Sequence, residues 1–258
     1  TGLLSAWIDW DGNGTWTDPG DQIANEVASS GGIVTLSVTV PANAAGGTTY
    51  ARFRYTSDSG ISFDGGATDG EVEDYALVIA RLDFGDAPDS GPGTSRDDYT
   101  TLLTTGGPSH EVASTPTVYL GVVPPDSDSG LLASLSARGD DEDGVDDEDG
   151  VTLNGSPLDD RTLFRGRSVD LEVTINGGGY LNVWLDLNRD GDFADTVGGV
   201  PEQLVADADH SANGGALSVT VPVTIPTSAV VGSSYLRARY CSTPATCTTP
   251  VGPAPDGE

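Results

Sequence analysis

The chain has 258 residues, 36% of them hydrophobic, and sets 40 Asp and Glu against 11 Arg and no Lys, for a net charge of −29. That sign repels nucleic acid and anionic membrane, and no apolar run approaches the ~20 residues of a membrane-spanning helix. Solvation in high salt would spread the carboxylates evenly, whereas Ca²⁺ coordination would gather them at oxygen-ligand spacing; their clustering with Gly favours calcium, several ions in all.

In chain order, the first element is the alternating run Leu3 to Trp10, which reads as a β-strand and runs into an acidic loop. Asp9, Asp11, Asn13, Gly14, Thr15 and Asp18 follow the pattern D-x-[DN]-x-[DN]-G, the first half of an EF-hand-type calcium loop. Alternate residues turn their oxygens toward one centre, and the Gly permits the tight turn. Gly20 stands where such a loop closes with Glu, so Asp18, or Asp21 just beyond, is expected to take that role. Ile33–Val40 is a β-branched run predicted as a strand that ends at Pro41. Thr48–Ser57 alternates, with Ala51, Phe53 and Tyr55 on one face and Tyr50, Arg52 and Arg54 on the other. Val72–Ala80 reads as the closing strand. Its Glu73 and Asp74 are expected to pair across strands with Arg52 and Arg54; an arginine-based ligand site is the sharper alternative.

The segment 82–153 differs in kind. It is poor in apolar residues, offers one predicted strand at Thr117–Val123, and contains GDDEDGVDDEDGV at 139–151. A charge run is ordinarily solvated, but Gly144 and Gly150 recur with period six and Val145 and Val151 follow them as anchors. Asp140, Asp141, Asp143, Asp146, Asp147 and Asp149 are therefore candidate calcium ligands, with Asp126 and Asp128 converging on them. The segment reads as a metal-dependent small domain or an ordered linker.

Beyond it the first part of the chain recurs. After a predicted strand at 161–175, WLDLNRDGDF (184–193) repeats WIDWDGNGTW (7–16), LRARY (236–240) repeats ARFRY (51–55), and APDGE (254–258) repeats ATDGE (67–71). The second loop offers Asp186, Asn188, Asp190, Asp192 and Asp195, with Glu202 beyond it, and Arg237 and Arg239 repeat the Arg-x-Arg pair. Strands are predicted at Tyr180–Leu187, Leu217–Ile225 and Ser234–Cys241. Cys241 and Cys247 read as one loop disulfide formed in an oxidising compartment. Each copy shows a strand that the other lacks, so the sequence reads as a window on a longer array. Its open strand edges would be covered by neighbouring repeats or by subunits that exchange strands. The expected fold is all-β, with tandem β-sandwiches at 1–81 and 154–258 joined by an acidic, metal-stabilised, loop-rich segment at 82–153.

His110 and His210 lie in no nucleophile, triad or zinc pattern, and no phosphate or dinucleotide fingerprint appears. Trp10 and Trp16 flank the first loop and either stack on a sugar or pack the loop. At DGEVEDYALVI (69–79), with WIDWDGNGTW and YARFRY, the chain resembles the GEVEDY domain family of large bacterial secreted and surface proteins. The stretch DFGDAPDS…DDEDGV resembles the segment that precedes such domains. The resemblance implies tandem extracellular β-domains, with the family's acidic loop at Asp9, Asp11, Asn13 and Asp18. The expected role is a calcium-stabilised structural or adhesive repeat on the bacterial cell surface, with no catalytic chemistry, no nucleic acid and no membrane span. A carbohydrate-binding module with glycan partners is the alternative.

Overall fold

A computed structural model describes residues 2–41, 44–128, 130–139, 147–158 and 161–258. The chain forms two compact units, Thr1–Ala80 and Arg81–Glu258. The acidic segment 82–153, expected as a body of its own, lies within the second unit. Both units are built of strands and loops.

The first unit is a four-stranded antiparallel sheet of β1 (Gly2–Ile8), β2 (Gln22–Ser29), β3 (Gly47–Thr56) and β4 (Glu71–Ile79), in the order β2-β1-β3-β4. Period-two alternation divides it into two faces. Ala6 stands opposite Phe53 and Trp7 opposite Arg52, so Leu4, Ala6, Ile8, Ala51 and Phe53 share one face while Trp7, Arg52 and Arg54 share the other. Ile8, Trp10 and Ala51 are buried on the first face, with Ile23, Phe53, Leu77 and Ile79 packed against them. The run Ile33–Val40 is not a strand: it has no ladder partner among the described residues, and Ile33 is 97% exposed. Its β-branched composition suits a sheet, but a strand exists only with a neighbour to bond.

The second unit adds β5 (Leu82–Phe84), β6 (Ser109–Glu111), β7 (Tyr119–Leu120), β8 (Val151–Leu153), β9 (Ser156–Pro157), β10 (Arg167–Asn176), β11 (Tyr180–Leu185), β12 (Thr196–Val197), β13 (Val200–Pro201), β14 (Gln203–Asp209), β15 (Leu217–Ile225), β16 (Leu236–Cys241) and β17 (Pro253–Ala254). One sheet runs β15-β10-β8-β9 with β7 also on β10; a second runs β14-β11-β16. β12 and β13 form a short hairpin, and β17-β6-β5 a third small sheet. Leu171, Val173 and Ile175 of β10, Val221 and Val223 of β15, Leu181 and Val183 of β11, and Tyr240 of β16 form one fully buried core. The two larger sheets thus close as a β-sandwich, and the β14-β11-β16 sheet corresponds strand for strand to β2-β1-β3.

The repeated Asp-Gly-Glu has the same structure in both units. Asp69 accepts hydrogen bonds from the Ser57 N–H (2.8 Å) and hydroxyl (2.6 Å), and Asp256 accepts from the Ser242 N–H (2.9 Å) and its hydroxyl. Gly70 and Gly257 sit at φ of 94° and 93°. A Cβ there would lie 1.9 Å from the Tyr55 carbonyl oxygen and 1.8 Å from that of Tyr240. Glu71 pairs with Tyr55 in the ladder, and Glu258 exchanges both backbone hydrogen bonds with Tyr240.

Candidate metal loops and the arginine face

Each acidic loop leaves its strand (β1 or β11) at a buried Asp. Asp9 accepts the N–H of Asn13 (3.1 Å) and of Gly14 (2.9 Å); Asp186 accepts the N–H of Asn188 (3.0 Å), Arg189 and Gly191 (3.2 Å). The acid beyond the loop is buried as well. Asp21 takes the Asp18 N–H (3.1 Å), and Glu202 takes those of Leu187 (2.7 Å), Asn188 (3.3 Å) and Asp195 (3.1 Å). Burial raises both carboxyls above their ordinary values, against the lowering effect of these amide bonds. Asp9, Asp21, Asp186 and Glu202 therefore hold the loop backbone in shape from inside.

The remaining predicted ligands face outward. In the second loop, ligand atoms of Asp190, Asp192 and Asp195 all lie within 4.8 Å of one another, a group that could hold a metal ion. The Asn188 side-chain N–H₂ bridges two of them, reaching Asp190 at 2.9 Å and Asp195 at 2.5 Å. The bond from Asn188 lowers the Asp195 carboxyl, but the hydrogen bond it shares with Asp190, and repulsion from Asp190 and Asp192, outweigh this and leave it raised. In the first loop the Asn13 N–H₂ bridges Asp11 (2.9 Å) and Asp18 (2.7 Å), while Thr15 turns its hydroxyl to Thr17. Asp and Asn have exchanged places between the two loops, and in both an amide joins a neighbouring Asp to the Asp at position 10.

Two tryptophans complete the first loop. Trp10 is buried and donates to the Gly20 carbonyl (3.2 Å). Trp16 donates to the Tyr50 carbonyl (3.2 Å) beneath the Arg52 guanidinium, 4.3 Å from the ring centre. Both pack the loop.

Of the other acidic candidates, Asp140, Asp141, Asp143 and Asp146 lie outside the described residues. Asp147 is buried and accepts the Asp126 N–H (2.9 Å), so the two stretches do converge. Asp149 accepts the Val122 N–H (2.8 Å). Asp128 instead takes the N–H of Phe84 (2.7 Å) and of Gly130, bracing β5. Glu258 is pushed well up, by burial first and then by Asp83, Asp147 and Asp149.

The arginines behave differently from a row of ion pairs. Arg52 and Asp74, directly opposite on β3 and β4, do form a two-pronged pair at 2.7 Å. Glu73 stands opposite Phe53 on the other face and accepts the Tyr75 hydroxyl. Arg54 donates to the carbonyls of Ser62 (2.6 Å), Asp64 (2.6 Å) and Gly65 (3.0 Å). Arg239 donates likewise to Thr249 (2.8 Å), Val251 (3.2 Å) and Gly252 (3.0 Å), and Arg237 to Pro250 (2.7 Å) and Thr100 (3.1 Å). The loop after each Arg-bearing strand folds back over the guanidiniums, so backbone oxygens reach them. The Cys241–Cys247 disulfide pins the start of that loop in the second unit.

Residues 84–139 use this arginine face as their foundation. Tyr99 and Ala87 pack with Trp184, Phe193 and Tyr235 in a buried cluster, and the Tyr99 hydroxyl donates to Asp186 (2.6 Å). His110 stands between two obligate partners. The Arg239 Nε–H donates to its Nε2 (2.9 Å), so its Nδ1–H donates to the Asp256 carbonyl (2.6 Å). Burial, and then the Arg239 charge, lower His110 to about 3. Neither Tyr99 nor His110 stands out in the sequence.

The model of the GEVED domain family matches residues 3–78 and 180–258. No curated protein and no solved structure matches the chain.

Proposed function

The chain belongs to the GEVED domain family, and from that premise we propose that it is a structural or adhesive repeat of an extracellular bacterial surface protein or filament, stiffened by Ca²⁺ in its acidic loops. The observation that carries this reading is the recurrence of one loop chemistry in both units: a buried acid frame around an outward set of oxygen donors. The donor set suits a hard cation. Two oxygens bound to one ion at ~2.4 Å stand at most ~4.8 Å apart, and Ca²⁺ takes its ligands at about 2.3–2.6 Å. Asp190, Asp192 and Asp195 would hold it in the second loop, joined by Asn188 through its carbonyl oxygen. Asp11, Asn13 and Asp18 would do so in the first. The disulfide supports an oxidising, extracellular setting. The role is mechanical, with partners that are further repeats or subunits of the same kind.

A carbohydrate-binding module is the second reading, favoured by the exposed rings of Tyr50 and Tyr75; binding on a glycan array would support it. Calcium is tested by calorimetry and thermal melting. Extracellular calcium modules bind Ca²⁺ with a Kd of roughly 10⁻⁴–10⁻³ M, so about 10 mM Ca²⁺, roughly 10 to 100 times Kd, stabilises one site by about 1.4–2.7 kcal/mol. The melting temperature should rise with millimolar Ca²⁺, and Asp195→Asn should remove the second loop's share. Flat titrations at millimolar Ca²⁺ would sink the reading.

A further inference from the structure

Eleven arginines face 40 carboxylates in this chain, and most of them are engaged. Arg52, Arg96 and Arg189 stand in ion pairs. Arg54, Arg237 and Arg239 donate to backbone carbonyls, and Arg81 donates to the Ser127 hydroxyl (3.2 Å). Arg161, Arg165 and Arg167 differ: all three are exposed, and among the described residues none has a carboxylate partner. The turn that carries them is held in place. The Arg167 N–H donates to the Phe164 carbonyl (3.2 Å), Gly166 supplies the positive φ of 73° that such a turn takes, and the Gly166 N–H donates to the Ile225 carbonyl (2.7 Å). The Arg165 guanidinium reaches the Ala229 carbonyl (3.3 Å), so the turn lies beside the loop that follows β15. Leu163 packs against the core, whereas Phe164 is 67% exposed, and Val230 and Val231 of the neighbouring loop are exposed as well. The nearest acids along β10, Asp170 and Glu172, alternate onto the outer face of the strand, away from the side that Arg167 shares with Val169 and Leu171.

We propose that the Phe164–Arg167 turn, with Arg161, Val230 and Val231 beside it, docks onto the acidic surface of a second copy of this chain. This rests on the repeat role proposed above and names a face through which repeats meet. Charge selects the occupant. A guanidinium binds a carboxylate through two parallel N–H···O bonds, and a second copy offers carboxylates in an excess of 29 charges. The exposed Phe164 ring supplies the apolar centre that an interface sets beside its arginines. Two such turns repel each other, so the copies do not meet through the same face. The turn of one molecule meets the acids of the next, which leaves a free turn at one end and free acids at the other. Contacts of that heterologous kind propagate.

Analytical ultracentrifugation of the full chain is the test, from micromolar to about 1 mM. It is run at about 0.15 M salt, where repulsion beyond roughly 8 Å is screened, and in EDTA, so that no Ca²⁺ bridges the copies. Association should grow with concentration and pass beyond dimers. The double variant Arg165→Glu, Arg167→Glu should weaken it at least about tenfold, with little change in melting temperature because both side chains are exposed. Phe164→Ser should weaken it too. The double variant keeps its acids, so mixed with wild type it should occupy free turns, end the rows and lower the average mass. A chain that stays monomeric to about 1 mM, an association that charge reversal leaves intact, or one that stops at dimers would overturn the proposal. So would a monomeric wild type that polygalacturonate binds through the same arginines, since the surface would then serve an anionic glycan. Calcium is absent throughout, so a chain that binds the metal yet stays monomeric loses this inference and keeps the calcium reading, and one that associates through the turn while ignoring the metal does the reverse.

Discussion

Gly70 and Gly257 let the chain turn back against the strand it has just left, with a backbone carbonyl oxygen within 1.9 Å of any added Cβ, far inside van der Waals contact. Ala at either position meets both that oxygen and a φ near 94°, and the neighbour it strikes is backbone, which cannot swing away. Gly257→Ala should destabilise the second unit by roughly 2–4 kcal/mol, whereas Gly199→Ala, with nothing within 4 Å but also at positive φ, should lose only about 1 kcal/mol. Chemical denaturation of the pair separates collision from conformational strain; equal losses would show that the close approach carries no weight. Asp69 in the same motif is held at about 2 by the Ser57 hydroxyl, the Ser57 N–H and the Thr56 hydroxyl. That contribution is present above its ordinary range and is lost as pH falls through about 2.

Elements in this fold are decided by what lies beside them. The alternating strands β1, β3, β4, β11 and β16 were legible because each carries its own two-faced pattern. β2 and β14 were not. Each contains a bulge with a residue at positive φ, Glu26 and Asp207, whose N–H is taken by Ser5 (3.1 Å) or by Asn182 (2.8 Å) of the strand alongside. That breaks their alternation. Ile33–Val40 failed for the opposite reason: its local pattern is that of β15, and only a distant partner makes the difference. The metal loops were legible as loops, but the amide bonds held by Asp9, Asp21, Asp186 and Glu202 were not, because sequence spacing does not reveal which oxygens face backbone N–H groups. The packing of 84–139 on β16 went unseen because it depends on single residues far apart, Tyr99 and His110. It makes a prediction. His110 is neutral in the fold and ionises near 6.5 when unfolded, so the unfolded chain binds one more proton as pH falls. Stability should drop between about pH 6.5 and 3, by at most ~1.4 kcal/mol per pH unit for this one group. Denaturant titrations between pH 7 and 5, above the ordinary carboxylate range, should show this slope in the wild type and a flatter one in His110→Gln; parallel profiles would remove His110 from the account.

Across the whole molecule the two units are unequal versions of one plan. Among the described residues, the second closes a sandwich around a core of fourteen buried residues, while the corresponding cluster of the first has three. Buried apolar area is the main source of stability, so the units should not share a single transition. Under tension this inequality becomes an order of events. A chain pulled from its ends should release the first unit at the lower force, lengthening by roughly 27 nm for about 80 residues at up to ~3.5 Å each, while the second still holds. Single-molecule pulling would read that step before a longer one of roughly 60 nm; the long step arriving first would contradict it. A thinly cored unit beside a well-cored one is then a yielding link next to a firm one, and the pair would stretch by stages before it gave way altogether.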